Sequence, residues 1–268
     1  MLISHEVPIN LLQHSLTFND YNYCLVHLLE THPEYKNFYK SSTDNNKELL
    51  LDNSIFELGK AFDPKKFAEY IDELRPTYYV IPDVLENYEE TVDSYKKFIS
   101  EYDNLPGAKI GVVQGKTYND LVQCYKYMSD NADYIAMSFD LSYYQYTGNG
   151  RTRLEKQCTG RQRFINTIVN EGIFNMNKPH HLLGCSLAKE FAFYRKHSIP
   201  IRSCDTSNPI VAGIEGLHYN GEFGLQGKPK TKLIEYIDHT ITDVQLFRIE
   251  RNVQSFRKIV HGLLPFYN

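Results

Sequence analysis

The chain has 268 residues, of which 42% are hydrophobic and 23% charged, with a formal net charge of -4. Such a chain is ordinary for a globular protein with a large core, and its acidic balance excludes a global positive field drawing it to nucleic acid. No apolar run approaches the roughly 20 residues of a membrane span, and Met1–Pro8 lacks the regions of a signal peptide.

Met1–Val7 reads as a first short strand. A mixed segment follows to Asn46, helical around Tyr23–Thr31, and its polar end Ser41–Asn46 reads as a loop. A cadence then begins. Leu49-Leu50-Leu51 is a strand buried on both faces that runs into Asp52. Asp63-Pro64 opens a helix through Leu74, with Asp as cap and Pro in the first turn. Tyr78–Ile81 is a strand ending in Pro82-Asp83, and Tyr88–Tyr102 has a helical period. Lys109–Val113 is a strand ending in Gln114-Gly115, and Thr117–Asp130 is a helix entered by a capping box with Asp120. Tyr134–Phe139 is a strand ending near Asp140.

An irregular Tyr- and Gly-bearing stretch, Ser142–Gly150, interrupts the cadence within an insertion spanning about 142–163. A helix runs from about Arg161 to Asn170. His181–Gly184 is a strand, Leu187–His197 a helix and Pro200–Asp205 a strand, and the tail Asp243–Leu263 closes the chain as one or two helices. Strands alternating with helices at roughly 25–30 residue spacing argue for βα repeats and a parallel sheet. With Met1–Val7 and a further strand at Lys232–Ile237 the strands make eight. The expectation is α/β, a (β/α)8 TIM barrel in a single domain, residues 1–268.

The strand ends carry Asp52, Asp83, Gln114, Ser138 and Asp205. A lone Asp there most often caps a helix or a turn. In a barrel, however, all the carboxyl ends converge on one mouth, so these side chains share a pocket. Three carboxylates in one mouth suggest divided labour: one ionised as a nucleophile, one shuttling a proton, one accepting a ligand's N–H groups. Gln114 offers a donor and an acceptor on one plane, which suits the edge of a base. Gly111 and Gly184 allow backbone to approach a flat ligand. A metal centre would need His180 or His181 beside the aspartates. Adjacent strand residues face opposite ways, and these two lie at the start of their strand, away from the mouth, so no metal is expected. No phosphate-binding glycine motif follows a strand, and no cofactor is expected. Cys24, Cys124, Cys158, Cys185 and Cys204 are dispersed, as reduced thiols in a cytoplasmic protein are.

From about residue 45 to 215 the chain resembles the queuine and archaeosine tRNA-guanine transglycosylase superfamily. The family's Asp-Ser-Gly-Gly-(Phe/Tyr)-Gln motif is similar to Asp52-Asn53-Ser54-Ile55-Phe56-Glu57, and its Gly-(Ile/Val)-Val-Gln-Gly motif to Gly111-Val112-Val113-Gln114-Gly115. Its Leu-Met-Gly strand is similar to Leu182-Leu183-Gly184, and its Phe-Asp-Cys-Val-Leu-Pro motif to Cys204-Asp205-Thr206-Ser207-Asn208-Pro209. The resemblance implies exchange of a guanine in a polynucleotide for a 7-deazaguanine base, in the 7-cyano or 7-aminomethyl form. It implies Asp205 as nucleophile, Asp52 as general acid/base, and Asp83 and Gln114 on the base edge with backbone near Ala136 and Gly184. Phe56 and Leu183 would sandwich the ring, and the target nucleotide would be flipped from its stack.

The family's zinc subdomain needs cysteines beyond the nucleophile, yet Cys204 is the last cysteine. The family's Arg-bearing stretch is replaced by Ile210-Val211-Ala212-Gly213. A zinc-free relative resembles the phage DNA-modifying branch, so the expected polymer is DNA, with tRNA second, in the host cytoplasm if phage-encoded. A non-catalytic nucleic-acid-binding subunit is the alternative from another class, and a homodimer is left open. Arg151, Arg153, Lys156, Arg161 and Arg163 are expected on phosphates, Lys228–Lys232 forms a second basic run, and Tyr143, Tyr144 and Tyr146 are placed for stacking on unpaired bases.

Overall fold

The computed structural model describes residues 1–42, 47–185, 187–219, 229 and 231–263. Eight parallel strands alternate with helices in a (β/α)8 barrel. The chain opens with β1 (Leu2–Ser4), α1 (Leu12–Ser15), β2 (Asn22–Leu25), α2 (Val26–Thr31) and α3 (Pro33–Ser42). Next come β3 (Leu49–Asp52), α4 (Ile55–Leu58), α5 (Pro64–Leu74), β4 (Tyr78–Val80), α6 (Tyr88–Glu101) and β5 (Ala108–Val113). The second half holds α7 (Tyr118–Asn131), β6 (Tyr134–Met137), α8 (Ser142–Thr147), α9 (Arg153–Asn170) and β7 (His180–Leu182). It ends with α10 (Glu190–Lys196), β8 (Ser203–Asp205), α11 (Asn208–Ile214) and α12 (Asp243–His261).

Ladders join neighbours from β2 through β8 and on to β1. Side chains finish the remaining seam. Asp20, just before β2, donates its N–H to the Ile3 carbonyl and accepts the Ile3 N–H on Oδ2, both at 2.9 Å. Ser4 Oγ donates to the Tyr21 carbonyl at 2.7 Å, and Arg257 of α12 pins Asp20 from outside at 2.7 Å. Aromatic rings fill the interior. Tyr23 of β2 stacks across the barrel on His181 of β7, with centroids 6.4 Å apart, and Tyr134 of β6 meets the same imidazole edge-on at 6.2 Å.

The helices form where their caps and apolar faces dictate. In α5, Asp63 accepts the Lys66 N–H and Pro64 occupies the first turn, while Phe67, Ala68, Ile71 and Leu74 are buried at helical spacing. Thr117 and Asp120 close a capping box on α7, as expected.

Three expectations are corrected. The eighth strand is β2, inside the stretch read as helical, whereas Leu233–Tyr236 forms a 3-10 turn in place of a strand. Four residues of β2 pass directly into α2, too short a run for the strand period to show. Second, α9 starts at Arg153, because Thr152 and Glu155 form a capping box that fixes its start. Third, Ser142–Thr147 is the short helix α8, packed so closely on α9 that a Cβ at Gly160 would overlap the Tyr144 carbonyl. Of the loop at Ser41–Asn46, Ser41 and Ser42 end α3 and the rest lies outside the described residues.

Gly160→Ala therefore forces α8 and α9 apart and should cost about 1–3 kcal/mol in urea denaturation, the usual range for overpacking a close contact. An unchanged midpoint would show that the two helices have room to spare.

Candidate active site

Every strand end singled out in the sequence lies at the carboxyl mouth of the barrel. Asp52 ends β3 and Asp205 ends β8, Gln114 and Ser138 directly follow β5 and β6, and Asp83 lies just beyond β4. Asp52, Asp83, Gln114, Ser138 and Asp205 line one cavity of about 160 Å³, together with Phe56, Leu183 and Gly184. Ala136 does not line it. It is fully buried in β6, two residues below the mouth, paired with His181 of β7.

One side of the cavity is a hydrogen-bond array. Gln114 Nε2 donates to Asp83 Oδ2 at 2.7 Å and to Ser138 Oγ at 3.0 Å, while its Oε1 accepts the Glu86 N–H at 3.0 Å. Asn53 Nδ2 donates to Asp83 Oδ1 at 2.8 Å and to the Ile81 carbonyl at 3.1 Å. Burial pushes the Asp83 carboxyl above its ordinary range, and the amides of Asn53 and Gln114 oppose that rise.

Asp52 is more strongly perturbed. Its Oδ2 accepts the Ser54 N–H at 2.7 Å, a turn that holds Ser54 at φ 59°, where a Cβ costs roughly 1–2 kcal/mol. Burial raises the Asp52 pKa well above the usual value. The charge of Glu57 adds to this, the Ser54 N–H offsets part of it, and Asp205 and Asp83 push it further up. Asp52 is thus the acid disposed to hold a proton.

Asp205 sits in a cradle that the sequence reading missed. Its Oδ1 faces His181 Nε2 at 2.9 Å and the Gly184 N–H at 3.1 Å, while Oδ2, among the described residues, has a longer 3.3 Å approach from that N–H alone. His181 is fully buried, and its Nδ1 lies 2.8 Å from Ser203 Oγ, which in turn meets the Tyr134 hydroxyl. A carboxylate only accepts, so Nε2 carries its proton toward Asp205, and the Ser203 and Tyr134 hydroxyls continue the chain from Nδ1. The expectation that both histidines lie away from the mouth is therefore corrected for His181. The strand β7 is only three residues long, so its second residue already reaches the site. His180 faces outward, stacked on Phe174, with Nε2 2.8 Å from the Tyr125 hydroxyl. Among the described residues, no group of three His, Cys, Asp or Glu side chains is arranged to hold a metal ion.

Of the expected phosphate contacts, Arg151, Arg153 and Arg163 are exposed on or beside α9, and Lys156 is half-buried. Arg153 pairs with Asp140 at the cavity rim at 2.6 Å. Arg161 is corrected: it is fully buried and paired with Glu190, so it cannot meet a phosphate. It lies on the buried face of α9 with Gln157, Cys158, Gly160, Phe164 and Ile165. Tyr144 is likewise buried and takes no part in stacking, whereas Tyr146 is 86% exposed. In the second basic run, Lys228 and Lys230 lie outside the described residues, and Lys232 lies over the Phe56 ring. No helix among the described residues is long and apolar enough to cross a membrane.

No protein-family model matches the chain, and no curated protein matches it. The functional reading therefore rests on the short motifs and on the geometry of the mouth.

The raised pKa of Asp52 has a consequence for stability. The folded chain holds that proton to a higher pH than the unfolded chain, so stability is lost as pH rises through the folded value. Asp52→Asn should raise the urea midpoint at pH 7, and the gain should fade as pH falls below about 4, where the wild-type carboxyl becomes neutral in the unfolded state as well. A lower midpoint, or a gain indifferent to pH, contradicts the assignment.

Proposed function

We propose that the chain is a guanine transglycosylase that exchanges a guanine in a polynucleotide, preferably DNA, for a 7-deazaguanine base. The observation that carries the reading is the convergence of Asp52, Asp83 and Asp205, from three separated strands, on one cavity walled by Phe56 and Leu183. A flat heterocycle suits such a slot. Its hydrogen-bonding edge meets the Asp83–Gln114 array, where Asp83 accepts from ring and exocyclic N–H groups.

The chemistry follows from the environments of the two catalytic carboxylates. The target nucleotide leaves its stack and places its anomeric carbon against Asp205. Oδ2, the oxygen with the weaker internal contact, attacks that carbon as the bond to guanine breaks, while His181 and the Gly184 N–H hold Oδ1. Positive charge growing on the sugar is stabilised by the carboxylate and then trapped as an ester. Asp52 delivers its proton to the departing guanine. The incoming 7-deazaguanine returns a proton to Asp52, attacks the same carbon and releases Asp205 as carboxylate. Two displacements retain the configuration of the sugar.

DNA is favoured over tRNA on two grounds. No cysteine of the kind the tRNA enzymes' zinc subdomain uses follows Cys204 within these 268 residues, and α11, which follows the proposed nucleophile, is buried and offers no cation. Polymer contact then falls to Arg151, Arg153, Lys156 and Arg163, whose phosphate contacts make binding weaken as salt rises.

Incubation with labelled guanine and either DNA or tRNA tests the reading. Label should enter DNA, and Asp205→Ala should abolish its entry, while Asp52→Asn should slow it on the order of 100-fold or more, as loss of a general acid/base does. Incorporation into tRNA alone would reassign the polymer. Full exchange by Asp205→Ala would overturn the mechanism.

A further inference from the structure

We propose that Arg161 is a positioning residue for the site, holding the Leu183–Gly184 turn so that Asp205 is presented for attack; the inference rests on the base-exchange reading. Arg161 has five N–H donors and all are used inside the protein. Nε and Nη2 form a two-pronged pair with Glu190 at 2.8 and 2.9 Å. Nη1 donates to the Met137 carbonyl at the end of β6, at 3.2 Å, and to the Leu183 carbonyl at 2.9 Å. The last Nη2 hydrogen goes to the Gly184 carbonyl at 3.1 Å. Tyr194 donates to Glu190 Oε1 at 2.7 Å, and the Phe139 ring lies 4.8 Å from the guanidinium carbon.

One cation therefore ties together, from the helical layer, the ends of two adjacent strands. The link to the nucleophile is Gly184. It accepts from Arg161 on its carbonyl and donates its N–H to Asp205, at a backbone φ of 61° that favours glycine. Leu183, held through its own carbonyl, forms one wall of the cavity. An ion pair buried this deeply is a poor source of stability, because apolar side chains of similar volume do as well. What it supplies here is a fixed fork geometry that a lysine cannot reproduce.

Two variants separate positioning from bulk stability. Arg161→Lys keeps the charge and loses the fork, and Arg161→Met combined with Glu190→Leu removes the pair while refilling its volume. Both should retain a single cooperative melt, while kcat for base exchange falls on the order of 100-fold, the scale of a small misplacement of a reacting group. KM for the free base should rise by much less than kcat falls, because Arg161 holds the Leu183 wall but not the edge partners Asp83 and Gln114. Wild-type kcat in either folded variant overturns the proposal. Amide exchange at Gly184 reads the same coupling without turnover: protection seen in wild type should be lost in Arg161→Lys and in Asp205→Ala. Protection retained in Arg161→Lys overturns the proposal as well. Absence of base exchange in the wild-type chain would defeat the functional reading, and Gly184 protection would still decide the role of Arg161.

Discussion

Carboxylates withdrawn from water at one end of a β-barrel are the constraint that the site is built around. Glu6, Asp52, Glu57, Asp83, Asp140 and Asp205 line the cavity, and among the described residues no lysine or arginine lines it with them. Like charges at close quarters in a poorly solvated space resist joint ionisation. The protein answers differently at each central position. Asp52 is biased toward its protonated form, Asp83 is held by the amides of Asn53 and Gln114, and Asp205 is held by the His181 imidazole and a backbone N–H. One constraint thus generates three chemically distinct acids, to which the proposed roles of proton donor, base-edge acceptor and nucleophile are matched.

The barrel makes this possible because parallel strands deliver their ends to a single rim. Beneath that rim the interior is polar as well as aromatic. The chain Tyr134–Ser203–His181–Asp205 runs up through the barrel, each member the partner of the next, with Tyr23 stacked against the imidazole. A satisfied buried network of this kind fixes one arrangement of side chains, since any break leaves an unpaired polar group in the core. Outside the barrel, Arg161 and Glu190 do the same for the turn above β7. Asp205 is therefore held from below by the barrel interior, and the Gly184 turn that contacts it is held from the side by the helical layer.

Much of this was legible in the chain. Leu49-Leu50-Leu51 running into Asp52 shows a strand buried on both faces meeting the mouth, and β3 is that strand. The capping signals at Asp63 and Thr117 mark the starts of α5 and α7 because a cap is a local interaction between near neighbours. Where local pattern and tertiary context part, the reading fails. Asn22–Leu25 becomes a strand only because β3 pairs with it, and the helical pattern that follows masks it. Arg161 looks like a surface cation until Glu190, far along the chain, supplies its counter-charge. The importance of His181 depends on how few residues of β7 separate it from the rim, and adjacent residues of one strand could not reveal that.

The claim on which the account depends is that the three aspartates share a single flat ligand. A crystal soaked with 7-cyano-7-deazaguanine tests it most directly. The account predicts the ring between Phe56 and Leu183, its hydrogen-bonding edge on Asp83 and Gln114 and its glycosidic nitrogen toward Asp205. A base bound elsewhere, or in this cavity with that nitrogen turned away from Asp205, would contradict it.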